Sequence, residues 1–268
     1  MKYGIYTPNF GPCGDPKVLI ELARETESAG WDGFFLWDHL QWPGMEPAAD
    51  PWVALAAIAT QTESIQIGTL ITPLPRRDIV KLARETITLD HLSGGRLILG
   101  VGLGAEFIPE YSAFGHETDM RTRGDMLDEG LDVLAALWSG EPVSHEGKHY
   151  RVVTDQGFAK PSSIPIWVGG VWPNKRPIRR AARWDGVIPL GPSWSNNEII
   201  TASELGELVQ VTGQRDGYDI VTIAMSQQPA DVVHEYADAG CTWWVEASAP
   251  FRKTVDEMKE QIRRGPLQ

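Results

Sequence analysis

Two cysteines, Cys13 and Cys241, are all that 268 residues contain. They stand near opposite ends of the chain and outside any CxxC or CxxH spacing, so neither a zinc knuckle nor a disulfide framework can be read. Long hydrophobic runs are missing as well. No apolar window approaches the ~20 residues that span a bilayer, and the N-terminal MKYGIYTPNF carries no apolar segment followed by small residues, the mark of an export signal. Positive charge is scarce: 24 Lys and Arg stand against 36 Asp and Glu, a formal net charge of -12. Such a chain has no general attraction for phosphate backbones, which argues against nucleic acid as a partner. Internal repeats, low-complexity tracts and linkers are absent. These gaps lead to the expectation of a soluble cytoplasmic protein with no membrane and no nucleic-acid partner.

What remains is a globular composition, 42% hydrophobic and 22% charged, with a regular alternation. Apolar runs at 3–7, 33–37, 65–71, 97–101, 165–169, 186–190, 220–225 and 242–246 read as short strands bounded by Gly, Pro or polar residues. Helical spacing appears at 16–29, with Leu19, Leu22 and Ala23 on one face, at 79–92, with Leu82, Ala83, Thr86 and Leu89, and at 126–138 and 231–239. Strands that are apolar throughout belong to a parallel sheet covered on both faces. Eight of them in this length imply one α/β domain, 1–268, folded as an eight-stranded parallel βα (TIM) barrel. A doubly wound open sheet competes, but it would carry a dinucleotide fingerprint in its first unit, where Tyr6, Thr7, Pro8, Asn9 and Phe10 stand. Segment 141–163 exceeds a βα loop and reads as an excursion or small hairpin near the fifth strand. Barrel chemistry sits just after each strand, which nominates Asn9, Asp38, His39, Thr72, residues 102–106 and 169–171, Gly191, Ser226 and Glu246.

Three stretches carry chemistry. In GFFLWDHLQWPG, 33–44, an apolar strand delivers Asp38 and His39 to a loop. The pair could cap a helix and fill a rim pocket; at a strand end it could equally move a proton, the carboxylate holding the imidazole in one tautomer. Trp37, Trp42 and Trp52 surround this turn and could wall an apolar pocket. GVGLGA, 100–105, matches a nucleotide-binding pattern in letters, yet it follows a fourth strand and meets Pro109 where a helix should run. Its glycines read better as room for a flat ring against backbone, or as a tight turn. GGVWPNKRPIRR, 169–180, places a glycine pair before a helix with Lys175 and Arg176 nearby, either a phosphate cradle or ordinary surface charge. His145 and His149 are separated by Gly147, which speaks against a shared metal-ligand face.

Taken together, WDGFFLWDH (31–39), IGTLITP (67–73), LDHLSGGRLILGVGLG (89–104), RGDMLDEGLDVLAALW (123–138) and IWVGG through AARWDG (166–186) resemble the bacterial luciferase-like flavin-dependent oxidoreductases. The resemblance covers most of the chain in order. It implies a βα barrel whose mouth holds a flavin, FMN, or in its place 8-hydroxy-5-deazaflavin (coenzyme F-420). It places Asp38 and His39 at the ring edge and the phosphate at Gly169 and Gly170. It also implies a non-proline cis peptide bond at Leu70–Ile71 beneath the ring. The candidate cofactor contacts are Leu70, Ile71 and Thr72, then Gly102 and Gly104, then Gly169, Gly170, Val171, Lys175 and Arg176. His39 would act as acid or base, oriented by Asp38. The luciferase catalytic subunit has a reactive Cys followed by Arg where Gly102 and Leu103 stand here, so light emission is not implied. The expected function is a monooxygenase using reduced FMN and oxygen on a small organic substrate, with a separate flavin reductase as possible partner and a homodimer as the family's form. The alternatives are a deazaflavin-dependent hydride-transfer enzyme and a non-catalytic flavin-binding protein. A metal-dependent barrel hydrolase is disfavoured, since no two His or carboxylate ligands stand at successive strand ends.

Overall fold

A computed structural model describes residues 1–192, 199–213, 215–225, 227–248 and 253–267. The apolar runs form strands β1 (Lys2–Thr7), β2 (Gly33–Leu36), β3 (Gln66–Pro73) and β4 (Leu97–Gly102), a short pair β5 (Ser144–Glu146) and β6 (Arg151–Val153), then β7 (Ile166–Val171), β8 (Gly186–Leu190), β9 (Asp219–Ala224) and β10 (Trp243–Ala247). Eight of these close into a barrel in the order β1-β10-β9-β8-β7-β4-β3-β2, each strand pairing in it being parallel. Each barrel strand begins and ends within two residues of its expected place. The excursion is the β5–β6 antiparallel hairpin, tied to the barrel's helical layer by Glu129, whose Oε1 accepts from the Tyr150 N–H at 2.8 Å and lies 3.0 Å from His145 Nε2.

Inward-facing residues fill the barrel. Phe35, Trp167 and Trp243 pack with ring centroids 5.3 to 5.7 Å apart, and Leu70, Ile98, Ile188, Val221 and Val245 complete the plug. A Cβ on Gly33 would stand 2.6 Å from the Phe35 ring, so the plug itself requires that glycine. With the barrel centre filled by side chains, a ligand finds room only beyond the strand ends.

Around the barrel lie α1 (Pro16–Ser28), α2 (Pro51–Ala59), α3 (Ile79–Ser93), α4 (Met120–Trp138), α5 (Lys175–Ala181), α6 (Ala202–Thr212), α7 (Ala230–Asp238) and α8 (Val255–Arg263). Part of the acidic surplus caps them: Asp15, Asp50, Asp78 and Asp119 each accept a backbone N–H in the first turn, which satisfies an orphan donor and places negative charge at the positive end of the helix. Asp119 also explains why α4 starts at Met120 and not at 126: its first turns are polar and carry little apolar rhythm. The non-proline cis bond lies at Leu70–Ile71, inside the register shift of the β3–β4 pairing between Thr69 and Thr72. Among the described residues, no helix is long and apolar enough to cross a membrane.

Candidate active site

Asn9, two residues past the end of β1, is fully buried. Its amide donates to the carbonyls of His39 at 2.8 Å and Ala49 at 2.7 Å, so the backbone leaving β2 is pinned where Asp38 and His39 emerge. Asp38, also buried, turns its carboxylate to two arginines that follow β3. Arg77 Nη2 donates to Oδ1 and Oδ2 at 2.5 and 2.6 Å, and Arg76 Nη2 donates to Oδ1 at 3.0 Å.

His39 is held by a different carboxylate. Its Nδ1 lies 2.8 Å from Oε2 of Glu110, in the loop after β4. Arg76 Nη1 stands 3.2 Å from the same oxygen, while Oε1 accepts the N–H groups of Leu40 and Gln41. Burial pushes the Glu110 carboxyl up, but the hydrogen bond and charge of His39, the charge of Arg76 and the Leu40 N–H outweigh it and hold the pKa below the usual 4.5. An ionised Glu110 accepts from Nδ1, which leaves the lone pair of a neutral imidazole on Nε2. The orienting residue is therefore Glu110. Asp38 instead fixes the arginine pair and reaches Glu110 through Arg76. Glu110 is 71 positions from His39, and the one local hint, an acidic residue in the loop after a barrel strand, is too common to single it out.

That loop is rigidly anchored. Tyr111 Oη donates to the Leu103 carbonyl at 2.6 Å, and Arg123, from α4, donates to the Leu103 and Gly104 carbonyls with its guanidinium 4.1 Å from the Tyr111 ring centroid. Glu106 accepts the Tyr111 and Ser112 N–H groups. Gly104 has φ +69° and a Cβ there would meet Tyr111 Oη at 2.6 Å, so only glycine fits.

Beyond the strand ends opens a cavity of about 1050 Å³. Asp38, His39, Leu70, Ile71 and Gly104 line it, together with Gly169, Gly170, Val171, Lys175 and Arg176. Of the expected cofactor contacts two fall outside, as do Asn9 and Glu246 among the strand-end residues, Glu246 being buried and accepting from Gln261 Nε2 at 3.1 Å. Thr72 is buried with its Oγ1 2.6 Å from Thr69 Oγ1, and Gly102 faces Ile71, whose Cδ1 would stand 2.7 Å from an added Cβ. Trp37 and Trp42 line the cavity, whereas Trp52 packs in the outer core. Ser226 lies outside the described residues. The glycine pair of β7 answers to packing as much as to any ligand: a Cβ would come 2.5 Å from Ile71 Cδ1 at Gly169 and 2.4 Å from Pro177 Cβ at Gly170. Arg176 is ion-paired with Asp125 at 2.6 Å and Asp128 at 3.0 Å, and Arg180 with Asp128 at 2.5 Å. Lys175 has no ion pair among the described residues. An apolar floor of Leu70, Ile71 and Ile188, glycines along the wall and one unpaired cation at the β7 side suit a flat, largely apolar ring with an anionic tail. Among the described residues, no group of three or more His, Cys, Asp or Glu is placed to hold a metal ion.

The chain is similar to several known proteins. Two F420-dependent glucose-6-phosphate dehydrogenases are each 34% identical to the chain: that of Microbacterium testaceum over 270 residues, 95% of this chain and 74% of the relative, and that of Nakamurella multipartita over 164 residues, 59% and 48%. The alignment with the second thus spans about half of that relative's length. A solved F420-dependent secondary alcohol dehydrogenase, in complex with an F420-acetone adduct, superposes with a TM-score of 0.79 over 99% of this chain and 98% of its own at 18% identity, a likeness of fold. Residues 1–205 match the luciferase-like monooxygenase family. The chain belongs to that family and is an oxidoreductase fold of the luciferase-like kind.

Proposed function

We propose that the protein is an F420-dependent oxidoreductase that interconverts a small secondary alcohol and its ketone. The observation that carries this is the imidazole of His39, held at Nδ1 by an ionised Glu110 on the edge of an apolar-floored cavity. Similarity to F420-dependent relatives supports deazaflavin-dependent hydride transfer over the FMN monooxygenase expected from sequence. A bound deazaflavin supplies a carbon that accepts or returns hydride and reacts poorly with oxygen. Leu70, Ile71 and the β7 glycines would hold its ring, and Lys175 its anionic tail.

The chain's own part is proton transfer and exclusion of water. Nε2 of His39 takes the hydroxyl proton as the carbinol hydrogen leaves, and Glu110 stabilises the imidazolium that forms. Arg76, hydrogen-bonded to Asp38, keeps the Glu110 carboxylate in place. In the reverse direction the same imidazolium returns the proton to a carbonyl oxygen. Trp37 and Trp42 remove water from the space beside it.

The second reading, an FMN monooxygenase fed by a separate reductase, rests on the family itself and on that apolar wall, which would equally shield a reduced flavin. Mixing the protein with reduced F420 and a ketone, and separately with reduced FMN and oxygen, distinguishes them. Ketone-dependent oxidation of the deazaflavin without oxygen uptake is the expected result. Substrate-dependent oxygen uptake with FMN alone would overturn it.

A further inference from the structure

Four partly buried side chains, Tyr6, Ile71, Leu190 and Ile223, pack on the plug of the barrel, and all four line the cavity. They form its floor. Tyr6 alone of the four carries a polar atom, a phenolic hydroxyl near the end of β1. Its ring stacks on Trp37 with centroids 5.3 Å apart, and among the described residues no group hydrogen-bonds to the hydroxyl. Tyr111 and Tyr236, by contrast, donate to the carbonyls of Leu103 and Ile200. The hydroxyls of Tyr150 and Tyr218 also lack a partner, but neither residue lines the cavity.

In an open cavity solvent serves such a hydroxyl. A ligand that displaces the solvent has to replace that hydrogen bond or bind more weakly. Burial, with the Asp38 carboxylate adding to it, pushes the phenol pKa up, so the group stays protonated and donates. The order of the strands indicates which ligand it meets. In the ring of eight, β1 lies directly opposite β7 and next to β2, the strand that delivers His39. The proposed cofactor contacts, Leu70 and Ile71, Gly169 and Gly170, and the Ile188 floor, stand on β3, β7 and β8, which leaves the end of the cavity by β1 and β2 to the substrate. Trp37 touches both rings there, 5.3 Å from Tyr6 and 5.7 Å from His39, while those two rings make no contact with each other.

We infer that Tyr6 is a specificity-determining residue: its hydroxyl donates a hydrogen bond to a substrate oxygen other than the one that meets His39, so the site favours hydroxy ketones over simple ketones. The apolar floor around it, Ile71, Leu190 and Ile223, offers that second oxygen no other donor. A substrate without it leaves the phenol dry and unpaired, which is how a site built around a hydroxyl discriminates against the analogue that lacks the matching group. Tyr6 takes no part in the proton transfer, and the fold gains no hydrogen bond from its hydroxyl.

This inference rests on the F420 reading for the placing of the ring, and the experiment separates the two. The full chain, with and without saturating F420, is titrated calorimetrically with acetoin, with 4-hydroxy-2-butanone and with 2-butanone, which has the same four carbons and one oxygen fewer; F420 binding is followed separately by its fluorescence. At least one hydroxy ketone should bind ~3- to 10-fold more tightly than 2-butanone. Tyr6→Phe, which keeps the ring on Trp37, should abolish that preference, leave the affinities for 2-butanone and F420 unchanged, and leave the thermal midpoint of the ligand-free protein equal or higher. Equal affinity for all three ketones, no binding of either hydroxy ketone, or a preference that survives Tyr6→Phe would overturn the inference. A weaker F420 affinity in the variant would assign the hydroxyl to the cofactor, and a lower midpoint would assign it to packing; either result also overturns it. A preference abolished by Tyr6→Phe in a protein that does not bind F420 would sink the cofactor reading and uphold the role of Tyr6.

Discussion

Asp38 and His39 can be found in the sequence because an apolar strand hands both to one loop. Their division of labour cannot, because it depends on Arg76, Arg77 and Glu110, which arrive from β3 and β4 only when the barrel closes. Two substitutions test that division. His39→Ala should leave cofactor affinity within about tenfold and lower turnover by ~100-fold or more, measured by hydride transfer to a ketone; unchanged turnover would remove the imidazole from the chemistry. Glu110→Gln should lower turnover by ~10- to 100-fold, since the amide neither stabilises an imidazolium nor fixes the same tautomer. Acid dependence belongs here too. Glu110 has its folded pKa below 4.5, so its contribution to stability is complete above the unfolded value and is lost as pH falls through the folded one. Acid titration of unfolding should show that loss in the wild type, and Glu110→Gln should flatten it; identical acid profiles would contradict the assignment.

At the scale of elements, periodicity reveals strands and the amphipathic helices α1, α3 and α7, and it fails where periodicity is absent. Helix α2, PWVALAAIA, is apolar nearly all round, so no face stands out. Helices α6 and α8 announce themselves by capping boxes, Thr201 with Glu204 and Thr254 with Glu257, a signal of termini and not of rhythm. The β7 loop is the instructive case. Its glycines look like a phosphate cradle in sequence, while the structure also gives each a packing reason, Ile71 beside Gly169 and Pro177 beside Gly170. Adding a carboxylate at Gly170 would therefore confound charge with collision. The cleaner variant is Gly170→Ala, which should cost about 1–3 kcal/mol in denaturant unfolding because Cβ meets Pro177 at 2.4 Å. A stability equal to wild type would mean that the loop yields, and the cradle could then be probed by charge.

For the whole molecule, eight apolar strands and their spacing make the barrel legible, and the barrel says where chemistry must sit. It does not say which cofactor the mouth holds. That choice depends on a cavity assembled from the loops after β2, β4 and β7, far apart in sequence, and on a charge pattern in which, among the described residues, the lining cations come from α5. The homodimer implied by the family resemblance remains a proposal at this scale, open to sedimentation. The central claim is cofactor choice coupled to the His39–Glu110 pair, and a fluorescence titration of the full chain with F420 and, in parallel, FMN meets it most directly. Saturable F420 binding at least about tenfold tighter than FMN, a difference of ~1.4 kcal/mol, is the expected result. FMN binding tighter than F420, or no saturable binding of F420, would contradict it.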